Sequence, residues 1–345
     1  MSSATPLALL FDTPELPRIC ATLERPEFAA YWKSAREADL VDDERFLRNE
    51  INVDLARAAN ILQRSAFVHT ITQDARHLSI AKLALSRVLA FRRWDWVLEA
   101  GQDTVGVMRN GSTSVSVVLA ADWLAADLTA AEHDAIVQFI ANEAAPAAER
   151  AVFGMTHQDQ VAGWSMDPDA AGFDQAYRDI DFSRWPTILD HTNLRIIATS
   201  GLAAAASFLH GRHPRATHWA ATAEASMRLF VSRLPADGTF PEGPAYWHFT
   251  FNYYFVSAEL LRRRCGIDLR DAFDFPAMAR YVQMVTLPTK AKPDACINIG
   301  DAFSTAGAEP LAWIGRHFRD STANQLVLQP GTIREIVYPL TLLIT

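Results

Sequence analysis

One turn-rich stretch organises this chain: Asp237-Gly-Thr-Phe-Pro-Glu-Gly-Pro-Ala-Tyr-Trp-His248. It holds two glycines, two prolines, two acids, a tyrosine, a tryptophan and a histidine, and helical sequence lies on both sides of it. Glycine and proline fix the shape of a turn, and loops on a rigid scaffold commonly carry binding and catalytic groups. We therefore expect a helical scaffold that presents this loop.

The composition is typical of a folded, helix-rich protein. Half of the 345 residues are hydrophobic and only 15 are glycine, while the abundance of alanine and leucine favours helix. A chain of this length forms either one large repeat-type domain or two domains. The formal net charge of -8 argues against nucleic acid as a partner.

The cysteines and the short motifs exclude several classes of site. Cys20, Cys265 and Cys296 lie far apart and form no CxxC pair, so we interpret them as small buried hydrophobic side chains and not as a disulfide framework or zinc site. The chain has no P-loop, GxGxxG, HExxH or GxSxG motif, which leaves nucleotide-binding, zinc-protease and serine-hydrolase functions without support. No cofactor and no metal is predicted.

The two ends of the chain differ in character. Residues 1–45, broken by prolines, are predicted to form an N-terminal arm with a short helix over 28–38. They lack the basic start of a signal peptide, and no apolar run is long enough to span a bilayer, so a cytoplasmic location is the default expectation (periplasmic if a leader has been removed). Residues 333–345 are apolar and strand-like, and we interpret them as the start of a truncated β-rich region.

Residues 46–332 carry the apolar spacing of helix pairs. Leu128-Thr129-Ala-Ala-Glu132 predicts a capping box, and the small residues from 198 to 207 predict a helix that its neighbours approach closely. This rhythm predicts an all-α fold whose antiparallel helix pairs curl into a solenoid or toroid. Helices are predicted over 49–72, 75–91, 129–148, 216–234, 251–264 and 276–285, with loop-like sequence over 154–190.

One segment of that region allows two interpretations. Asn110-Gly111 lies between valine-rich pieces, a pattern typical of a β-hairpin turn. The alternative, which we favour slightly, is an irregular loop that leads into a helix over 114–127.

Tyr246 is the first candidate for chemistry. Pro241 and Pro244 fix their own φ angles, and Gly243 is able to take a positive φ, so the loop around the tyrosine is preformed. A tyrosine, whose pKa is ordinarily about 10, needs a nearby cation or hydrogen-bond donors to act as a base. The alternative is that Tyr246 and Trp247 simply pack in a helix corner.

Two further segments hold polar groups suited to a site. Asp190-His191-Thr192-Asn193-Leu194-Arg195 precedes the small-residue helix, where His, Asn and Arg suit the binding of a carboxylate. The alternative is plain helix capping by the aspartate or the threonine. Asn298-Ile-Gly300-Asp301 is either a turn or a means of placing the Asp301 carboxylate to orient a site residue.

Taken together, these segments resemble the heparinase II/III family of polysaccharide lyases, which includes related alginate lyases. The resemblance rests on His191-Thr-Asn193-Leu followed by Ser200-Gly201, and on the stretch from Asp237 to Trp247 at the family's spacing. Gly300-Asp301 is similar to a later Gly-Asp-Ser step of the family. The resemblance covers roughly residues 190–306 and implies an incomplete α/α toroid followed by a β-sandwich.

The resemblance also implies a reaction, β-elimination at a uronic acid residue of an acidic polysaccharide or oligosaccharide. By carry-over, Asn193 with His191 neutralises the uronate carboxylate so that an enolate-like intermediate is tolerated. Tyr246 removes the C5 proton and protonates the leaving glycosidic oxygen. The candidate substrate-binding residues are Arg195, Glu242, Trp247 and His248.

Two other functions stay open. A glycoside hydrolase on the same scaffold would use Glu242 and Asp301 as paired carboxylates and release reducing sugar without forming an unsaturated uronate. A carbohydrate-binding or degenerate toroid would bind oligosaccharide without turnover, and its binding would survive Tyr246→Phe.

Overall fold

The chain is mostly helical, as its apolar spacing predicts. A computed structural model describes residues 5–49, 54–169, 181–287, 289, 295–297, 299 and 309–327. The α-helices are α1 (Leu16–Leu23), α2 (Pro26–Arg36), α3 (Leu40–Arg48), α4 (Leu55–Thr72), α5 (Ala75–Ala90), α6 (Arg109–Trp123), α7 (Ala130–Phe139), α8 (Ala145–Thr156), α9 (Trp185–Leu189), α10 (Asn193–Leu209), α11 (Ala216–Ser232), α12 (Pro244–Cys265), α13 (Phe275–Val285), α14 (Glu309–Phe318) and α15 (Ser321–Val327).

A small antiparallel sheet interrupts the helices. Its strands are β1 (Val97–Glu99), β2 (Asp103–Val105) and β3 (Trp164–Met166), and β1 lies between the other two. Val97 is paired with Val105 on one side and with Met166 on the other. The hairpin that joins β1 to β2 therefore turns around residues 100–102, some ten positions before the Asn-Gly pair that suggested a hairpin.

The hairpin at Asn110-Gly111 is wrong, because these residues lie in the first turn of α6. The helix predicted over 114–127 is present as α6, but it begins earlier, at Arg109, in place of the predicted loop, and ends at Trp123. The buried Asp95 carboxylate accepts hydrogen bonds from the backbone N–H groups of Met108 (2.7 Å) and Asn110 (3.3 Å), which serves the start of the helix in place of an N-cap side chain. The Asn110 side-chain amide donates to the carbonyl of Ala144 at 3.0 Å. Tertiary partners thus override the local turn preference.

The helix predicted over 129–148 is present but longer. Its capping box is confirmed, since the Thr129 side chain accepts from the Glu132 N–H and the Glu132 side chain accepts from the Thr129 N–H. A π-helical turn over residues 140–144 joins α7 to α8 and ends two residues before Pro146, whose ring nitrogen carries no hydrogen to donate. The loop predicted from residue 154 is therefore helical to Thr156, and β3 and α9 also lie inside it.

The core is built around α10. Every residue of this helix except Leu194 is buried, and its small side chains let neighbours approach closely. A Cβ on Gly111 of α6 would lie 1.9 Å from the Ile197 carbonyl oxygen, and one on Gly201 would lie 3.0 Å from the Gly111 Cα. The two helices therefore cross at a glycine-lined contact that admits no larger residue.

The principal helices pack in a regular succession along the chain. α4 packs on α6, α6 on α10, α10 on α12, and α12 on α14. Between these members, α5 packs on α4, α8 and α11 pack on α10, and α13 lies against α14 and α15. Apart from the step from α6 to α10, which passes over α7, α8 and α9, each helix of this series contacts the next but one along the chain.

The N-terminal residues pack on this same core. Leu9, Leu10 and Phe11 are buried within it, and the buried Asp122 carboxylate accepts hydrogen bonds from the N–H groups of Leu7, Ala8 and Leu9. The segment predicted as an arm is therefore fastened to the C-terminal half of α6.

The predictions for the cysteines, for membrane spans and for the C-terminal residues are tested only in part by the structure. Cys296 is buried, whereas Cys20 and Cys265 are half-buried, and all three are free thiols. Within the described ranges, no helix combines the length and the apolar character needed to cross a bilayer, and the cytoplasmic location stays a prediction. The β-rich region predicted over 333–345 lies outside the described residues.

Candidate functional site

A hydrogen bond joins the two sequence segments that point to function. The Glu242 side chain accepts the backbone N–H of Asn193, with Oε2 and N 2.7 Å apart. Asn193 is the first residue of α10, and the preceding Thr192 caps this helix by accepting the N–H of Leu194. Residues 49 positions apart in the chain are thus held side by side.

The stretch that we predicted as a loop becomes helical earlier than expected. Gly243 takes a φ of 88°, which favours glycine, and Pro244 then starts α12. Tyr246, Trp247 and His248 therefore lie in the first turns of α12 and not in a loop. The earlier start of the helix fixes the directions of these side chains.

Asn193 and Tyr246 consequently lie in the first turns of two helices that meet. Helix N-termini carry partial positive charge, because their first N–H groups have no partner within the helix. Asn193 is buried and Tyr246 is half-buried against the main core. The Glu242 carboxylate already accepts the Asn193 N–H, so its negative charge offsets part of the positive potential at the start of α10.

His191 is the most exposed of the predicted catalytic residues. Its side chain is 66% exposed, and its Nε2 lies 3.7 Å from the Asp190 Oδ2. A surface imidazole beside the start of α10 is accessible to a solute. The aspartate that it faces is buried.

Arg195 is completely buried, and protein groups hold its guanidinium. Nε donates to the Asp190 carboxylate at 2.7 Å, Nη1 to the Ser226 hydroxyl at 2.9 Å and Nη2 to the Thr156 hydroxyl at 3.3 Å. Burial by itself would raise the pKa of Asp190, but Arg233 and Arg195 together hold it below its usual value. In this conformation Arg195 is out of reach of a substrate and anchors the start of α10 on α8 and α11.

Trp247 is also completely buried, and its indole packs against Phe251 with ring centroids 5.8 Å apart. Trp247 therefore has the packing role that the sequence analysis gave as the alternative to a role in the site. A contact with substrate would require the side chain to leave the core.

His248 faces a buried carboxylate that sequence reasoning missed. Its Nε2 lies 2.7 Å from Oε2 of Glu309, the first residue of α14, whose side chain is fully buried. The Asn252 amide nitrogen is 2.8 Å from the same Nε2. Among the described residues, the buried Asn252 Oδ1 has no hydrogen-bond partner in this orientation, so rotating the amide would let the oxygen accept from an Nε2–H of His248.

A sequence signal existed for the asparagine but not for the glutamate. His248 and Asn252 are four residues apart, the spacing at which helical side chains meet. Glu309 lies far along the chain, and nothing in its neighbourhood marks it as a partner of α12. Asn298, Gly300 and Asp301, the third segment with candidate residues, lie outside the described residues.

The part of the chain that the structure describes contains no group of three or more His, Cys, Asp or Glu side chains placed to hold a metal ion. No protein-family model and no curated protein matches the sequence. Function is therefore inferred from the site geometry together with the motif resemblance.

Proposed function

We propose that this protein is a polysaccharide lyase that cleaves a uronic-acid-containing polymer by β-elimination. One observation carries the proposal: the hydrogen bond from the Asn193 N–H to Glu242, which places the Asn-bearing and Tyr-bearing segments against each other. These two segments also carry the resemblance to heparinase II/III-type lyases. Their contact is what a shared active site requires.

The chemistry assigns each group a separate task. The C5 proton is weakly acidic because the adjacent carboxylate is already negative, so a neutralising partner must come first. Asn193 and the accessible His191 bind that carboxylate beside the start of α10. Tyr246 takes the C5 proton as a base and returns a proton to the glycosidic oxygen as the bond between C4 and oxygen breaks.

Glu242 positions these groups in the proposal and does not bind substrate. Its carboxylate already accepts a helix N–H, and a second negative charge would repel a uronate. Arg195 and Trp247 support the site from the core, since both side chains are fully buried. His248 remains the candidate for binding the polymer, held by Glu309 from behind.

The packing order of the helices supports an α/α toroid as the scaffold. In such a ring, successive helix pairs contribute one helix each to an inner layer, and these inner helices are neighbours. The succession α4, α6, α10, α12 and α14 has this character. Both Asn193 and Tyr246 belong to helices of that series.

A direct test measures ultraviolet absorbance of the unsaturated uronate as the protein acts on alginate, polygalacturonate, hyaluronan and heparan sulfate. We expect absorbance to rise with at least one polymer. Tyr246→Phe removes one oxygen and should lower the turnover rate by roughly 10²-fold or more. Tyr281→Phe on α13, which removes the same atom from a buried tyrosine, is the matched control and should retain activity.

Other outcomes identify the competing functions. Reducing sugar without ultraviolet absorbance would indicate a glycoside hydrolase. Binding that survives Tyr246→Phe, with no turnover of any polymer by the wild-type protein, would indicate a non-catalytic carbohydrate-binding domain. Equal elimination rates for wild type and Tyr246→Phe would remove the tyrosine from the mechanism.

A further inference from the structure

An exposed aromatic ring lies one helical turn from Tyr246. Phe249 is 42% exposed, although it belongs to α12, a helix that is buried over most of its length. Among the exposed large hydrophobic residues of the described ranges, the aromatic ones are Phe249 and Phe153. Single exposed hydrophobic side chains are common on protein surfaces, and what distinguishes Phe249 is its place beside Tyr246, where its ring is available to a ligand.

The position of Phe249 on the helix relates it to the catalytic candidate. Helical residues three apart are neighbours on one face, with Cβ atoms about 5–6 Å apart. Phe249 therefore shares a face with Tyr246, and Tyr253 continues the same stripe four residues later. The rings of Phe249 and Tyr253 meet edge to face, with centroids 5.2 Å apart and an interplanar angle of 74°. This contact restrains the exposed ring, so little side-chain freedom remains to be lost on binding.

We propose that Phe249 is a sugar-stacking subsite that binds the pyranose ring next to the one attacked at Tyr246. A pyranose has an apolar face formed by its C–H bonds, and the negative face of an aromatic ring attracts these partly positive hydrogens. The uronate carboxylate lies at the rim of the sugar, so stacking leaves it in water or in contact with a cation. The subsite deepens the proposed function, on which its choice of ligand rests.

The test measures binding and does not depend on turnover. Affinity gel electrophoresis in gels containing alginate, polygalacturonate, hyaluronan or heparan sulfate gives a dissociation constant for each polymer. We expect Phe249→Ala to weaken binding about tenfold, as the loss of an aromatic contact implies, whereas Phe249→Trp retains it. Phe153→Ala removes an equally exposed ring (44%) from α8 and serves as the matched control.

The outcomes separate this inference from the lyase assignment. If the wild-type protein binds a polymer without cleaving it and Phe249→Ala loses that binding, the subsite stands and the lyase function falls. Unchanged binding by Phe249→Ala, or a loss no larger than that of Phe153→Ala, overturns the subsite. Absence of wild-type binding to every polymer overturns it as well. Near-identical melting temperatures for the variants and the wild type exclude loss through unfolding.

Discussion

Arg195 has the right chemistry for binding a carboxylate, but the carboxylate that it binds is the protein's own. Its guanidinium is fully buried and is held by Asp190 and two hydroxyl groups. Removing Arg195 leaves the buried Asp190 carboxylate with Arg233, 2.9 Å away, as its remaining charged partner, so the charge is compensated only in part. We expect Arg195→Met to lower the free energy of unfolding by no more than the roughly 3–5 kcal/mol that breaking a buried ion pair costs, measured by urea denaturation.

Two comparisons test whether the partly compensated Asp190 charge causes this loss. Arg45→Met removes an exposed arginine that pairs with Asp42 at the surface, and little change in stability is expected. Adding Asp190→Asn to Arg195→Met should recover part of the loss, because the buried charge is then gone. No recovery in the double variant would show that lost packing, and not the charge, determines the effect.

At the scale of the elements, the contact between α6 and α10 sets the position of the site. Gly111 faces the Ile197 carbonyl oxygen so closely that a Cβ has no room. Gly111→Ala must therefore displace one of the two helices, and overpacking of this kind costs about 1–3 kcal/mol. Because α10 begins at Asn193, the displacement should also lower the elimination rate proposed above.

Ser112→Ala is the control for this substitution, since it changes the adjacent, half-buried residue of the same helix. Thermal unfolding of both variants compares their stability, and the ultraviolet assay compares their rates. A Gly111→Ala variant as stable as Ser112→Ala would contradict the close packing of the two helices.

The elements also show where sequence reasoning succeeds. The capping box at Thr129 and Glu132 is confirmed because its two residues interact with each other over one turn. Asn110-Gly111 fails as a turn signal because its environment is decided by Asp95 and Ile197, which are distant in sequence. Interactions within one helical turn can be predicted from a single sequence, whereas contacts between helices that are distant in the chain cannot.

The same distinction applies to the candidate site. The polar residues around Asn193 and the stretch ending at His248 were both singled out from their composition, and the structure joins them through Glu242. Composition does not report burial: Arg195 and Trp247 suit a binding role by residue type, yet both side chains lie in the core. The partnership of His248 with Glu309 depends on the packing of α14 on α12, which no local pattern reports.

For the whole molecule, the contact between α12 and α14 should contribute to the pH dependence of the free energy of unfolding. Glu259 on α12 is buried. Its carboxylate accepts the Trp313 indole N–H at 2.9 Å and an Arg262 N–H at 2.7 Å. The His317 Nε2 lies 2.9 Å from the same carboxylate. Burial alone would raise the pKa of Glu259, but these partners outweigh it and lower the pKa to about 2.

A carboxyl group whose pKa is lower in the folded protein than in the unfolded chain stabilises the fold above its unfolded pKa. This stabilisation is lost as pH falls, because the unfolded chain takes up the proton first. For Glu259 the loss should extend from about pH 4.5 down to about pH 2, and a shift of this size corresponds to about 3 kcal/mol. Glu259→Gln should therefore be less stable than wild type at pH 6, and the difference should shrink across that window.

Urea denaturation at a series of pH values measures this difference directly. Glu44→Gln, which alters a surface glutamate paired with Arg48, should keep the slope of the wild type throughout. Because Trp313 and His317 both belong to α14, protonation of Glu259 loosens the attachment of that helix to α12. A constant stability gap between wild type and Glu259→Gln from pH 6 to pH 2 would show that this carboxylate does not provide the linkage.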